Sequence, residues 1–116
     1  MFVGIDCGVL NVKCVLLDQN GGYIQSMVPT GIDVQQAVTD CMQRVLDQAG
    51  AREDHIRCIG KTGAWAAERA VPGQSLDILD CLGRAAKRLY SNARTIVDVG
   101  YEDARAVRID QNGFVE

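Results

Sequence analysis

Apolar positions along this chain follow two periods, and the change from one to the other marks its elements. Residues 2–5 form a short apolar run that ends at Asp6-Cys7-Gly8, residues 12–17 form a second, and residues 23–28 form a third after the turn signal Asn20-Gly21-Gly22. Aliphatic and β-branched runs punctuated by Asn and Gly read as strands, and three joined by tight turns make an antiparallel meander. The period then lengthens. Val34, Ala37, Val38, Cys41, Met42, Val45, Leu46 and Ala49 recur at the spacing of one helical face. Asp33 and Gly50 bracket this stripe as start and stop signals. Asp33 can accept from early backbone N–H groups, Gln36 can reach back in a capping box, and Ile32 can staple against Ala37. Beyond it the pattern predicts a fourth strand over 56–59, a helix over 76–90 with Leu79, Leu82, Ala86 and Leu89 on one face, and a fifth strand over 95–99. Residues 64–70 read as irregular or partly helical.

The order of these elements favours an α/β fold, a mixed sheet with helices packed on it. The fourth and fifth strands each follow a helix, so right-handed crossovers place them parallel to the first. A five-stranded sheet of order 3-2-1-4-5 follows. In such a sheet the turns after the first and fifth strands both lie at carboxyl ends near the middle, where open α/β sheets bind ligands.

Those two turns carry the same residues. At one constant offset Asp6 falls on Asp98, Gly8 on Gly100, Lys13 on Arg105 and Asp18 on Asp110, and Gln19-Asn20-Gly21 recurs as Gln111-Asn112-Gly113. Each copy reads apolar run, Asp-x-Gly, a cation, apolar residues, then Asp-Gln-Asn-Gly. An internal repeat of this kind points to a duplicated architecture. The chemistry is that of an anion and metal site. A carboxylate at a strand end is a hard oxygen ligand for hydrated Mg²⁺, and the following Gly lets backbone N–H groups approach a phosphate. Lys13 or Arg105 would neutralise phosphate charge. Asp and Gly are also ordinary turn residues, so one copy alone would mean little.

Composition narrows the reading. With 116 residues, 47% of them hydrophobic, the chain suits one domain with a real core and not a second full one. Its 12 Lys and Arg against 15 Asp and Glu leave a formal charge of -3, no footprint for nucleic acid or an anionic membrane. Five cysteines without a C-x-x-C pair, beside one His, suggest neither a disulfide framework nor a zinc site. A reducing, cytoplasmic setting is expected. The sequence opens directly on a strand pattern, without a basic and apolar leader, and carries no apolar stretch of membrane-spanning length.

The stretches GIDCGVLNVKCVLLDQNG and ARTIVDVGYEDARAVRIDQNG resemble the two phosphate loops of the sugar kinase, heat-shock protein 70 and actin ATPase superfamily. They are most similar to those of the ATP-dependent activators of 2-hydroxyacyl-CoA dehydratases and the ATPase subunits of benzoyl-CoA reductase. In that branch the first loop usually reads G-I-D-x-G-S-T-x-T-K and the second D-x-G-G-Q-D-S-K. Thr62-Gly63 and Cys81 stand where the branch carries its T-G and C-H-A stretches, so the resemblance covers essentially the whole chain. It implies a ribonuclease-H-like, actin-like ATPase lobe over 1–100 and the first hairpin of a second, truncated lobe over 101–116. It also implies Asp6 and Asp98 as catalytic carboxylates, with Asp6 holding Mg²⁺ through water. Gly8, Asn11, Lys13, Gly100 and Asp103 would contact ATP, and an acyl-CoA dehydratase or reductase would be the partner. In the duplicated fold the second domain holds much of the adenine, so one lobe alone is expected to bind weakly.

The departures from the family pattern matter as well. Val9 and Leu10 replace Ser and Thr, removing hydroxyl donors, while Tyr101 and Glu102 replace Gly and Gln, and Leu82 stands in place of His. None of the five cysteines matches the family's cluster ligand, so no iron–sulfur centre is expected and burial is their expected role. A degenerate, non-hydrolysing binding or regulatory module of the same fold is the alternative function. His55 reads as a surface or strand-start residue, and Gly60-Lys61-Thr62-Gly63 as a strand-to-loop turn, since it lacks the phosphate-loop spacing. The cations Arg84, Lys87, Arg88 and Arg94 could dock a CoA-bearing partner, but cations in a last helical turn complement the helix dipole, which is the reading adopted. Trp65 reads as a core or interface anchor. Residues 104–109 and 114–115 are expected to lack strand partners, and a symmetric pairing of such edges predicts a homodimer through residues after Gly100.

Overall fold

The computed structural model describes residues 1–64 and 71–116. Trp65, and all but the first residue of the stretch expected to be irregular, lie outside the described residues. The chain divides into two compact units, Met1–Ser75 and Leu76–Glu116, each with its own sheet.

In the first unit β1 (Phe2–Cys7), β2 (Asn11–Leu17) and β3 (Tyr23–Pro29) form the expected antiparallel meander. Strand alternation decides which residues reach the core. Val3, Ile5 and Cys7 are buried, and Phe2, Gly4 and Asp6 take the opposite face. Helix α1 (Val34–Ala49) starts where its stripe predicts, with Asp33 accepting the Gln36 N–H at 3.0 Å, and ends at Gly50 in the left-handed region at φ 60°. Its buried Ala37, Val38, Cys41 and Val45 pack on Val3, Ile5, Cys7, Val12, Cys14, Leu16 and Val28 of the sheet. Two details of the helix start differ from expectation. The Gln36 amide bonds Asp40 at 2.8 Å instead of reaching back to the cap. Ile32 is fully exposed, so no staple forms; the left-handed Gly31 at φ 60° turns the chain just before it.

The sheet continues through β4 (Cys58–Gly63), parallel to β1, and β5 (Gln74–Ser75), parallel to β4, giving the expected order 3-2-1-4-5. The strand identities need two corrections. Gly60-Lys61-Thr62-Gly63 is the body of β4 and not a turn after it. Glycines weaken intrinsic strand preference, but in-register pairing with Gly4, Ile5, Asp6 and Cys7 overrides it. Second, the fifth strand of this sheet is the two-residue β5, and residues 95–99 do not join it. A strand that short carries no periodic signal.

In the second unit α2 (Ile78–Leu89) is capped by Asp77, which accepts the N–H groups of Leu79 and Asp80 at 2.8 and 3.3 Å. It packs on β6 (Thr95–Val99) and β7 (Ala104–Arg108), which pair antiparallel from Thr95↔Arg108 to Val99↔Ala104. An isolated bridge joins Ile109 to Val115. The residues expected to lack partners therefore fold back on their own chain, because closing a short loop costs less than a long crossover. Leu79, Leu82 and Ala86 are half-buried, as the helix stripe predicts, but Leu89 is exposed because a two-stranded sheet is too narrow to cover the last turn. Gly83 is the buried residue of the helix.

Candidate functional site

The first candidate hairpin joins β1 to β2. The Gly8 N–H donates to the Asn11 carbonyl oxygen at 3.0 Å, and a Cβ built on Gly8 would stand 2.5 Å from that oxygen, so the turn admits only glycine. Thr30, which sequence reasoning missed, locks the turn from β3. Its N–H donates to the Leu10 carbonyl and its hydroxyl to the Gly8 carbonyl, both at 2.8 Å. Across the ladder Asp6 faces Lys13, with Nζ 3.0 Å from Oδ2. Both side chains keep part of their surface in water, so the pair contributes at most about 1 kcal/mol. Its value is placement: the ammonium holds one carboxylate oxygen while Oδ1 has no hydrogen-bond partner among the described residues. A carboxylate with one free oxygen at a strand end suits a magnesium-bound water.

The second hairpin repeats this geometry. The Gly100 N–H donates to the Asp103 carbonyl oxygen at 2.7 Å, Asp98 faces Arg105 across the ladder, and Arg105 Nε lies 3.9 Å from Asp98 Oδ2. Arg105 also contacts the Asp103 carboxylate. Asp6, Gly8, Asn11 and Lys13 thus come together in the first unit, and Asp98, Gly100, Asp103 and Arg105 in the second.

The likeness extends through the Asp-Gln-Asn-Gly turns. Asp18 Oδ1 accepts the N–H groups of Asn20 and Gly22, both at 2.8 Å. Asp110 Oδ1 accepts those of Asn112 and Phe114 at 2.8 and 2.9 Å. The glycines inside the turns, Gly21 and Gly113, share the left-handed region at φ 84° and 85°. The backbone N–H of Phe114, more than those of Asn112 and Gly113, holds the Asp110 carboxyl below its ordinary pKa.

Val9 and Leu10, where the resemblance leads one to expect hydroxyls, are both exposed. Thr62, read from sequence as part of a turn, stands in register with Asp6 on β4. The β4 end needs Gly63 at φ 115°, where a Cβ would sit 2.5 Å from the Cys7 carbonyl oxygen. Burial is the role of Cys7, Cys14 and Cys41, all wholly enclosed, but not of the exposed Cys58, while Cys81 is intermediate. The enclosing core, then Cys41 and Cys7, push the Cys14 thiol pKa well up. His55 lies on the surface in a 3-10 turn, where Nδ1 accepts the Arg52 N–H at 3.3 Å. Among the cations, Lys87 bonds the Ser91 carbonyl at 2.5 Å just past α2, and the Arg84 guanidinium lies 3.9 Å from the Phe114 ring centroid. A cavity of 560 Å³ between α1 and the start of β4, lined by Thr39, Met42, Arg57, Cys58 and Pro72 among others, holds none of the candidate residues.

The profile of the BadF/BadG/BcrA/BcrD ATPase family matches residues 3–116. The activator of lactoyl-CoA dehydratase from Anaerotignum propionicum is 26% identical over 117 residues, covering 98% of this chain and 44% of that protein. Among solved structures, component A of (R)-2-hydroxyglutaryl-CoA dehydratase from Acidaminococcus fermentans superposes with a TM-score of 0.87 at 22% identity, over 98% of this chain and 44% of that one. The activator of 2-hydroxyisocaproyl-CoA dehydratase from Clostridium difficile, with bound ADPNP, gives 0.86 at 21% identity, over 98% and 42%. The chain thus spans less than half the length of these relatives.

Proposed function

Because the chain belongs to the BadF/BadG/BcrA/BcrD ATPase family, we propose that it is the amino-terminal, nucleotide-binding part of an ATP-dependent activator of a 2-hydroxyacyl-CoA dehydratase or benzoyl-CoA reductase. The supporting observation is the repeated hairpin: Asp6, Gly8, Asn11 and Lys13 share their geometry with Asp98, Gly100, Asp103 and Arg105. In this reading residues 1–100 are one actin-like lobe and 101–116 open the next. Asp6 holds hydrated Mg²⁺ through its free oxygen, Lys13 neutralises phosphate charge, and Asp98 orients the attacking water. When bound, the metal would supply charge stabilisation on the transferring phosphoryl group. No iron–sulfur cluster is assigned to these cysteines. Five cysteines, none of them in a disulfide, suit a reducing, cytoplasmic compartment, and among the described residues no helix is long and apolar enough to cross a membrane.

A second reading rests on Val9 and Leu10. Exposed apolar side chains in place of hydroxyls fit a non-hydrolysing module that binds nucleotide without turning it over. Homodimerisation through residues after Gly100 belongs to the proposal too, supported by the outer edge of β7, which before Arg108 has no strand partner among the described residues. Sedimentation of the full chain against a truncation ending at Gly100 tests it, since equal monomeric masses would remove that interface. For the nucleotide, isothermal titration with Mg-ATP is expected to show binding no tighter than about 0.1 mM, roughly -5.5 kcal/mol. Micromolar affinity would contradict the half-site reading, and an Asp6→Asn variant that binds like the parent would remove Asp6 from the site. Measurable ATP turnover would decide against the non-hydrolysing module.

A further inference from the structure

We propose that the Thr62 hydroxyl contacts phosphate in this site, taking the donor role that the side chains at positions 9 and 10 no longer fill. The inference rests on the nucleotide-binding reading above. It starts from register. Thr62 stands opposite Asp6 in the parallel β1–β4 ladder, and Asp6 stands opposite Lys13 in the antiparallel β1–β2 ladder. Partners in a ladder project to the same face, on strands about 4.8 Å apart. Lys13, Asp6 and Thr62 therefore form one row across three strands: ammonium, carboxylate, hydroxyl. Val3, Ile5 and Cys7 turn the other way, into the core with α1, so the row lies on the face that α1 leaves uncovered.

The hydroxyl is uncommitted. Thr62 is half-buried, and its Oγ1 makes no hydrogen bond among the described residues. No described side-chain nitrogen or oxygen is both sealed from solvent and unpartnered, so this hydroxyl opens to solvent beside Asp6. Thr30, the other threonine at the hairpin, is buried and bound to the Gly8 carbonyl. The side chains of Val9 and Leu10 offer no donor. A hydroxyl can donate to a phosphate oxygen while Lys13 supplies charge from the far side of Asp6. Its position is also fixed. Directly after it Gly63 crosses so close to Cys7 that no side chain fits, and, two residues on, the Ala64 N–H donates to the Cys7 carbonyl at 2.8 Å. A donor held in the β1–β4 ladder needs little reorganisation to meet its ligand.

A β-branched residue in a strand needs no ligand to explain it, so the test must separate the hydroxyl from the shape. Valine keeps the branching and strand preference of threonine without its donor; serine keeps the donor without the branch. Amide chemical shifts of the β1–β2 hairpin, followed during titration of the full chain with Mg-ATP, are compared for the parent, Thr62→Val, Thr62→Ser and Asp6→Asn. Resonances away from the hairpin report whether each variant keeps its fold, and Thr62→Ala replaces the valine variant if that one does not. Removal of the hydroxyl is expected to weaken binding about fivefold to tenfold. The serine variant should stay within about twofold of the parent. If valine binds like the parent while Asp6→Asn weakens binding, Thr62 is not a ligand and the nucleotide reading stands. If serine is as weak as valine, the effect belongs to strand packing and the assignment falls. A parent without any saturable response to Mg-ATP, or an Asp6→Asn variant equal to it, overturns the nucleotide reading and this assignment together.

Discussion

Gly83 of α2 approaches the second Asp-Gln-Asn-Gly turn so closely that a Cβ built on it would stand 2.5 Å from the Gly113 carbonyl oxygen. A Cβ on Gly113 would in turn meet the Lys87 Cβ at 2.8 Å. Helix and turn dock backbone to backbone, and the Arg84 guanidinium over the Phe114 ring closes the contact from the side. In an exposed helix, Gly→Ala gains about 1 kcal/mol of helix propensity. Here the methyl meets backbone that has nowhere to move, and overpacking of that kind costs about 1–3 kcal/mol. Gly83→Ala is therefore expected to destabilise the second unit despite better propensity. Loss of amide-exchange protection at Val107 and Ile109, with Val45 and Leu46 unchanged, is the outcome to look for; unchanged protection at both places would mean the turn can yield.

Gly63 sets a harder limit in the first unit. It combines φ 115° with a position where a Cβ would lie 2.5 Å from the Cys7 carbonyl oxygen and 2.7 Å from the Cys7 nitrogen. Both the left-handed backbone and the overlap penalise any side chain. Gly63→Ala should cost at least about 2 kcal/mol and should disturb Asp6, which pairs with the preceding Thr62. Urea denaturation checks the first effect, and the amide shift of Asp6 checks the second.

These two glycines show where the sequence was legible and where it was not. Helix α1 was written twice over, in its stripe and in Asp33 and Gly50, so its ends fell in place. The meander was legible because Gly8 and Asn20-Gly21-Gly22 mark its turns. β4 was shifted because the residues that pair best with β1 include two glycines, whose strand role comes from close backbone approach, not from propensity. β5 is two residues long, and no periodicity can announce it. Residues 95–99 have the composition of a buried parallel strand, yet a nearer antiparallel partner exists in Ala104–Arg108. Within the candidate site, Asp6 with Lys13 and Asp98 with Arg105 were visible through the repeat. Thr30 was not, since it lies far along the chain from the turn it bonds, and the register of Thr62 with Asp6 was hidden in a stretch read as a turn.

The cysteines should divide sharply in reactivity. Cys7, Cys14 and Cys41 are fully enclosed, and Cys41 Sγ lies 3.0 Å from Ser26 Oγ. Cys58 is exposed. In the native chain a disulfide reagent is expected to modify Cys58 first and Cys81 more slowly, reaching the other three only on unfolding. The pH dependence has a definite sign. Burial, followed by Cys41 and Cys7, raises the folded pKa of Cys14, so its stabilising contribution is whole below the unfolded thiol value of about 8.5 and declines as pH rises above it. Cys14→Ala should flatten that alkaline loss. A parent and variant that lose stability in parallel above pH about 9 would mean that Cys14 does not report on it.

The last prediction uses the carboxylate that closes the repeat. Asp110 is half-buried, and its pKa lies below the ordinary 3.8 because the N–H of Phe114, with those of Asn112 and Gly113, favours the charged form. A depressed folded value means that the stabilisation is present above the unfolded pKa and is lost as pH falls through the folded one. The relevant window thus begins near pH 3.8 and runs downward. The Asp110 side-chain carboxyl carbon, followed by NMR, should titrate at lower pH than Asp in a short unstructured peptide of the same local sequence. Asp110→Ala removes the acceptor for Asn112 and Phe114 together, so it should loosen the turn that Gly83 docks against and lower exchange protection at Ile109. Asp110→Asn keeps an acceptor oxygen without its charge and should fall between the two. If alanine and asparagine behave alike, the charge is what holds the turn; if asparagine matches the parent, the two hydrogen bonds alone do.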